Sequence, residues 1–326
     1  MEPIRLLSKA DLQEVLTLGD VIQVVEEGFR ADAEGGVKTF PVVMEHIASH
    51  GAFFGIKSGY VPTTEALGVK VAGFWPRPLG TGPGHFAVIL LLDGETGTPL
   101  AFMDGNLITT LRTGAAGAVG AKYLARPESA KVGVIGAGVQ GQIQVRALAE
   151  LFELAEVRVW DMSAEAVERY VETLASAGFS VKAASAPREA VSGADIVVTA
   201  TPSNRFLVDA EWVAQGTHVN AMGADARGKQ EVDPKLFACA TVVVDKLSQC
   251  RELGDLQHAL GLGLIRESDV HAELGQIVAG ERPGRTQPDE ITIFDATGVS
   301  FQDVVTAKLA YERAVELGLG SEFDWG

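Results

Sequence analysis

Residues 131–142, KVGVIGAGVQGQ, carry the pattern that most strongly indicates the fold. The first five of these residues are a short apolar run typical of a buried strand, and the residues from Val139 onwards predict a helix. Between them stand three glycines in the spacing GxGxxG. The first permits a tight turn, the second lets the backbone approach a pyrophosphate, and the third lets helix and strand pack closely. Because the helix N-terminus attracts phosphate, we predict a dinucleotide site formed by Gly136, Ala137, Gly138, Val139, Gln140 and Gly141.

The ends of later strands add residues to this site. Asp161 follows the strand VRVW, 20 residues after Gly141. A carboxylate there accepts hydrogen bonds from the adenosine ribose and repels a 2′-phosphate, which favours NAD over NADP; the alternative is a carboxylate that only caps a helix. Cofactors lie along the carboxyl edge of such sheets. The other predicted cofactor contacts at strand ends are Met162, Thr201, Pro202, Ser203, Met222 and Gly223. A plain connecting loop is the alternative for residues 201–203.

The remaining pattern predicts two domains. Strands alternate with helices from residue 131 to 295, which indicates a doubly wound parallel sheet. Before it, residues 52–60, 67–74, 86–92 and 100–103 form short strands of a mostly antiparallel sheet. A helix over 301–317 closes the chain. We therefore predict an α/β protein in which a Rossmann domain, residues 116–298, is inserted into an α+β domain for substrate binding and dimerisation, residues 1–115 plus 299–326.

Composition excludes several classes of function. The net charge is −16 over 326 residues, which disfavours binding to nucleic acid or to an anionic membrane. The N-terminal residues lack the apolar core of a signal peptide, and Cys239 and Cys250 have no zinc-site spacing. We expect a cytoplasmic protein with reduced thiols and no metal.

Four segments carry a family resemblance. RTGAAGAVGAKYLAR (112–126), VGVIGAGVQGQ (132–142), VNAMGADARGKQE (219–231) and VVVDKLSQCRELGDL (242–256) resemble the ornithine cyclodeaminase/mu-crystallin family. The resemblance implies a Rossmann domain inserted into a substrate-binding domain, a homodimer, and hydride exchange between nicotinamide and a carbon next to a carboxylate. Cyclodeaminases of the family return the hydride, whereas its dehydrogenases and imine reductases release the changed product.

The resemblance also implies three site residues. Lys70 in GVKVAGFWP resembles the active-site lysine, Arg112 in TTLRTGAAG the carboxylate-binding arginine, and Asp225 in AMGADARGK the catalytic aspartate. A guanidinium near a helix start suits a planar carboxylate. A desolvated lysine can hold a carboxylate or donate a proton. A carboxylate beside nicotinamide can manage the proton on nitrogen. The alternatives are a surface salt bridge for Arg112, a solvated side chain for Lys70 and a turn-forming role for Asp225.

Two positions bear on the substrate. The family often has an arginine shortly after a proline in its first domain, but FPVVMEH (40–46) has none. Lys57 in FFGIKSGY stands about where a cyclodeaminase would place an acid for a distal ammonium, so we hypothesise a substrate with a second carboxylate, such as the iminosuccinate/aspartate pair. A solvated lysine is the alternative. His85 in GPGHFAV is a further candidate substrate contact, with a structural loop histidine as its alternative.

Three functions therefore remain open. The leading hypothesis is an NAD-dependent imine reductase or amino-acid dehydrogenase. The second is a cyclodeaminase-type lyase that recycles NAD. The third is a non-catalytic protein that retains a nucleotide site.

Overall fold

The computed structural model describes residues 3–76 and 84–324. The chain divides into two compact units, Met1–Arg112 with Val299–Gly326, and Thr113–Gly298. We call the first the discontinuous unit and the second the inserted unit, because the second interrupts the first in the sequence.

The strands and helices have the following bounds. The strands are β1 (Ile4–Leu7), β2 (Lys38–Thr39), β3 (Val43–Ile47), β4 (Ala52–Val61), β5 (Ala66–Phe74), β6 (His85–Asp93), β7 (Pro99–Asp104), β8 (Lys131–Ile135), β9 (Glu156–Trp160), β10 (Val181–Ala183), β11 (Ile196–Thr199), β12 (Asn204–Val208), β13 (His218–Ala221), β14 (Gln230–Val232), β15 (Thr241–Val244), β16 (Ala272–Glu273), β17 (Thr292–Asp295) and β18 (Ser321–Phe323). The helices are α1 (Lys9–Val15), α2 (Leu18–Ala33), α3 (Gly105–Leu124), α4 (Val139–Ala149), α5 (Ala164–Ser176), α6 (Pro187–Val191), α7 (Pro234–Phe237), α8 (Leu247–Leu253), α9 (Leu256–Gly261), α10 (Leu274–Val278) and α11 (Ser300–Leu317). Short 3-10 turns occupy Ala48–His50, Pro62–Thr64, Ala210–Trp212 and Glu267–Asp269.

The discontinuous unit is built on one sheet in the order β18-β1-β7-β6-β5-β4-β2, with β3 also paired to β4. The pairs β4–β5, β5–β6 and β6–β7 are antiparallel, so the predicted antiparallel sheet is confirmed. Alternation along β6 separates its two faces. Ala87, Ile89 and Leu91 are buried, whereas Phe86 and Val88 are exposed.

Helix α11 packs on the buried face of this sheet. Two glycines that pair across β4 and β5, Gly59 and Gly68, allow its close approach. A Cβ atom at Gly59 would lie 2.5 Å from Ser300 Oγ, and one at Gly68 would lie 3.1 Å from Val304 Cγ1. The first turn of α11 is thereby held directly against β4 and β5.

The inserted unit contains a second sheet, in the order β10-β9-β8-β11-β13-β17-β15-β16. Its neighbouring pairs are all parallel, which confirms the predicted doubly wound fold. The chain order reverses between β8 and β11, and ligands of such sheets bind outside the carboxyl ends of the strands at that reversal. A separate two-stranded parallel sheet joins β12 and β14.

Among the described residues, no helix is both long and apolar enough to cross a bilayer.

Candidate functional site

The glycine turn after β8 has the shape that a pyrophosphate site needs. Gly136 has φ 112°, and a Cβ atom there would lie 2.5 Å from the Ala200 carbonyl oxygen. A Cβ atom at Gly141 would lie 2.1 Å from the Gly136 carbonyl oxygen. Both positions therefore require glycine for the protein's own packing.

Gly138 differs from these two glycines. It is the N-cap residue of α4, and a Cβ atom there would have no neighbour within 4 Å. The protein itself does not need a glycine at this position, but a close-lying pyrophosphate would. The residues present therefore fit a dinucleotide at the start of α4.

Asp161 lies beside this turn. Its Oδ2 accepts the Ala137 N–H at 2.9 Å, and its Oδ1 accepts the Ser163 N–H at 2.9 Å. Each carboxylate oxygen has a further lone pair that can accept a ribose hydroxyl. Met162, next to Asp161 in the chain, and Val139, within the glycine turn, both have exposed apolar side chains.

The loops that follow β11 and β13 meet at one carboxylate. Glu231 Oε1 accepts the Thr201 N–H at 2.5 Å, and its Oε2 accepts the Gly223 N–H at 2.7 Å and the Thr199 hydroxyl at 2.8 Å. Burial and the nearby Asp255 carboxylate together raise the pKa of Glu231 to about 7, while the hydrogen bonds from Thr201 and Thr199 oppose the rise. Of the other predicted residues, Ser203 donates its N–H to Thr201 Oγ1.

A buried charge cluster occupies the discontinuous unit. Asp303, in the first turn of α11, accepts Lys70 Nζ at 2.8 Å and Arg112 Nε at 3.0 Å through the same oxygen, Oδ1. Gln302 Oε1 accepts Arg112 Nη1 at 3.0 Å, and Lys70 Nζ also donates to Thr109 Oγ1 at 3.2 Å. Lys70, Arg112 and Asp303 are 4%, 7% and 1% exposed, so the pair of cations is fixed in place by one buried anion.

Burial and the neighbouring charges set the proton affinities in this cluster. Desolvation, which the Asp303 carboxylate opposes and the Arg112 and Lys57 cations reinforce, lowers the pKa of Lys70 to about 7. The pKa of Asp303 is lowered, because the Arg112 and Lys70 cations outweigh its burial. Lys70 can therefore change its protonation state near neutral pH, a property of proton-transferring lysines.

Lys57 joins this cluster through the register of the sheet. It lies directly opposite Lys70 in the antiparallel pair β4–β5. Side chains opposite each other point to the same face, and here that face carries α11. Lys57, Lys70 and Arg112 are thus brought together around Asp303.

His85 and Asp225 are placed differently. His85 begins β6, and its Nδ1 lies 3.0 Å from Asn106 Oδ1. Asp225 belongs to the inserted unit, on the loop after β13, where its half-exposed carboxylate contacts Lys229 Nζ at 2.5 Å. Their predicted substrate and catalytic roles stay predictions.

Sequence reasoning missed three residues: Asp303, Gln302 and Glu231. The signal for Asp303 is an acid among Val304, Val305 and Phe301, in the first turn of the predicted closing helix. The sequence around Glu231 indicates its role less clearly. Glu231 is buried because β14 pairs with β12, and this pairing cannot be recognised from the neighbouring residues.

In the described ranges, 3–76 and 84–324, no three His, Cys, Asp or Glu side chains are grouped so that they could hold a metal ion.

Comparison with known proteins gives consistent matches over the chain. The model of the ornithine cyclodeaminase/mu-crystallin family matches residues 4–318. The structure of Thermococcus litoralis Δ1-pyrroline-2-carboxylate reductase with NADH and L-proline is similar at TM-score 0.95 and 36% identity, covering 98% of this chain and 99% of that one. An archaeal alanine dehydrogenase dimer with bound NAD has TM-score 0.94 and 37% identity, covering 99% and 100%. The iminosuccinate reductase of Paracoccus denitrificans with NAD⁺ has TM-score 0.92 and 37% identity, covering 99% of each chain.

Proposed function

The chain belongs to the ornithine cyclodeaminase/mu-crystallin family, and from that premise we propose that it is an NAD-dependent imine reductase or amino-acid dehydrogenase. The observation that carries the proposal is Gly138, a glycine with open space around it at the reversal point of a parallel sheet. Similar structures that hold NAD or NADH support the same cofactor for this chain.

The cofactor would be held by the turn at residues 136–141 and by Asp161, with the loops at Thr201 and Gly223 beside it. When bound, nicotinamide supplies or accepts the hydride. In the reductive direction the imine carbon gains the hydride and its two electrons, the C=N π bond breaks, and the nitrogen gains a proton.

The substrate carboxylate is assigned to Arg112 and Lys70. Asp303 holds both cations through Oδ1, so they are ordered before a substrate arrives. Such preorganisation reduces the entropy that binding must otherwise remove. We assign the proton on the substrate nitrogen to Asp225, with Lys70 as a second proton donor, because the pKa of Lys70 is about 7.

A substrate with two carboxylates agrees best with Lys57. This lysine lies opposite Lys70 and shares the electrostatic environment of Asp303. A second carboxylate would be attracted to it, and the distal ammonium of a diamino acid would be repelled. The iminosuccinate/aspartate pair is the example that we propose.

We propose that the protein is a homodimer in the cytoplasm. Leu6, Phe86, Val88 and Phe102 are all exposed on the sheet face opposite α11, and Leu6 pairs with Phe102 in register. An apolar face of this kind is typical of a subunit interface, and a similar structure is an alanine dehydrogenase dimer. The cytoplasmic location is supported by Cys239 and Cys250, which are free thiols.

A direct assay tests the proposed activity. The protein is mixed with NADH and a panel of mono- and dicarboxylic α-keto acids, each with ammonia or methylamine, and the absorbance of NADH is followed. We expect oxidation of NADH with at least one pair; no turnover with any pair would contradict the proposal. Release of ammonia from ornithine without net change in NADH would instead identify the cyclodeaminase reaction.

A further inference from the structure

Glu231 stands at the meeting point of two loops that carry predicted cofactor contacts. It lies on β14, and its side chain is completely buried. Its three hydrogen-bond donors come from Thr199, which ends β11, from Thr201 just beyond it, and from Gly223 just beyond β13. These strands are neighbours in the sheet, on the side of the reversal point that begins with β11.

We propose that Glu231 is a positioning residue that fixes the loops 201–203 and 222–223 in the conformation that binds the nucleotide. The inference rests on the proposed function, because it concerns the same cofactor. Glu231 acts through the loops, without a contact of its own to the nucleotide. Its two carboxylate oxygens accept hydrogen bonds from the backbone N–H groups of Thr201 and Gly223. These hydrogen bonds hold the two loops together.

A carboxylate suits this position because all three of its partners are donors. Above its pKa of about 7, Glu231 is an ionised carboxylate that only accepts hydrogen bonds. A glutamine amide would instead turn its NH₂ group towards one of the donors. Hydrogen bonds to charged acceptors are also stronger than neutral ones.

The space around Glu231 is adapted to this contact. A Cβ atom at Gly223 would lie 2.5 Å from Glu231 Oε2 and 2.5 Å from the Thr201 carbonyl oxygen. Only a glycine lets the second loop reach the carboxylate. Thr201 in turn fixes Ser203, whose backbone N–H donates a hydrogen bond to Thr201 Oγ1 at 3.3 Å.

Glu231 is itself held by a second layer of buried acids. Asp255 Oδ1 accepts the backbone N–H groups of Glu231 at 2.7 Å and Val232 at 3.0 Å. Asp295, at the end of β17, accepts the N–H groups of Asp255 at 3.1 Å and Leu256 at 2.9 Å. Each carboxylate fixes the backbone of the next segment, and the series ends at the two loops.

The test compares Glu231→Gln with a matched control, Asp195→Asn. Asp195 also ties backbone together, since its Oδ2 accepts the N–H groups of Ala130 at 3.0 Å and Lys131 at 2.9 Å. It does so at the amino ends of β8 and β11, the edge of the sheet away from the proposed nucleotide site. Both variants should lower the melting temperature.

Two readouts separate positioning from general stability. In the nucleotide-free protein, hydrogen exchange of peptides that contain Thr201 and Gly223 should accelerate at least ten-fold in Glu231→Gln and stay within two-fold in Asp195→Asn. By calorimetry, the Kd for NADH should rise about ten-fold, or about 1.4 kcal/mol, in Glu231→Gln and stay within two-fold in the control.

Equal Kd values for wild type and a folded Glu231→Gln variant, or equal increases in both variants, would overturn the inference. If Glu231→Gln does not fold, Thr199→Val removes one of the three donors at nearly constant shape. It should raise the Kd two- to five-fold, and an unchanged Kd would contradict the proposal. Failure of the wild type to bind NADH would overturn the proposed cofactor, whereas the exchange rates report on the loop contacts separately.

Discussion

Lys57 and Lys70 lie directly opposite each other across β4 and β5, on the sheet face that α11 covers. Like charges in such a position destabilise a sheet. Asp303 offsets this repulsion, since its carboxylate contacts Lys70 and is stabilised electrostatically by Lys57. The arrangement concentrates positive charge where we assign the substrate carboxylates.

Lys57→Ala should therefore act selectively on dicarboxylic substrates. Loss of one charge-assisted contact costs about 1.5–3 kcal/mol, or roughly ten- to 150-fold in KM for a dicarboxylic imine. The KM for a monocarboxylic imine should change less than two-fold. Steady-state kinetics with Lys38→Ala, an exposed lysine of the same sheet, provides the control. An unchanged KM for dicarboxylic imines would exclude the proposed role of Lys57.

Lys70 should set a pH dependence. Burial lowers its pKa to about 7, so its ammonium loses the proton as pH rises through that value. Because we assign the ammonium to the substrate carboxylate, kcat/KM should fall above pH 7. At pH 6, the kcat/KM of Lys70→Met should be about 100-fold below that of the wild type. This difference in kcat/KM should become smaller as the pH rises. Profiles between pH 5.5 and 9 check this; the same break near pH 7 in Lys70→Met would contradict it.

Asp303→Asn should destabilise the protein strongly. It removes the charge that compensates two buried cations, and an uncompensated buried charge costs about 3–5 kcal/mol. Urea denaturation measures the change in the free energy of unfolding. Glu322→Gln is the matched control, because its partner Arg5 is 3.0 Å away but Glu322 is 57% exposed. That exposed ion pair should contribute less than about 1 kcal/mol to the free energy of unfolding. Equal decreases in the free energy of unfolding in both variants would contradict the role of Asp303.

Three glycine variants separate folding from nucleotide binding. Gly141→Ala should destabilise the inserted unit, because its Cβ atom would lie 2.1 Å from the Gly136 carbonyl oxygen. Gly138→Ala should lower the melting temperature much less than Gly141→Ala, since its Cβ atom meets nothing and only a weaker N-cap residue results. It should nevertheless raise the Kd for NADH at least ten-fold. Gly261→Ala, also in open space, should change neither. Wild-type NADH affinity in Gly138→Ala would show that no pyrophosphate lies there.

The sequence predicted the parts of the fold that depend on local patterns. GxGxxG after an apolar strand located the turn at Gly136. Short segments rich in β-branched and aromatic residues, separated by Gly, Pro or Thr, located the sheet of the discontinuous unit. The strand at 291–295 was also predicted, but its place between β13 and β15 depends on long-range pairing that periodicity does not contain.

The site was predictable only where residue type and local spacing carry its chemistry. Lys70 and Arg112 were candidates through the family resemblance, but Asp303 is 191 residues from Arg112 in the chain. Nothing near Asp303 in the sequence indicates that it joins two cations. Glu231 was missed for a similar reason, because its three donors belong to the ends of two other strands.

Transfer of deuterium from NADH to the product tests the proposed hydride step. NADH deuterated at both C4 positions is oxidised by the protein with the best imine from the substrate panel, and the amino acid formed is examined by mass spectrometry and NMR. We predict one deuterium on the α-carbon of the product for each NADH oxidised. A product without deuterium at that carbon, or no oxidation of NADH with any imine, would contradict hydride transfer between nicotinamide and the substrate.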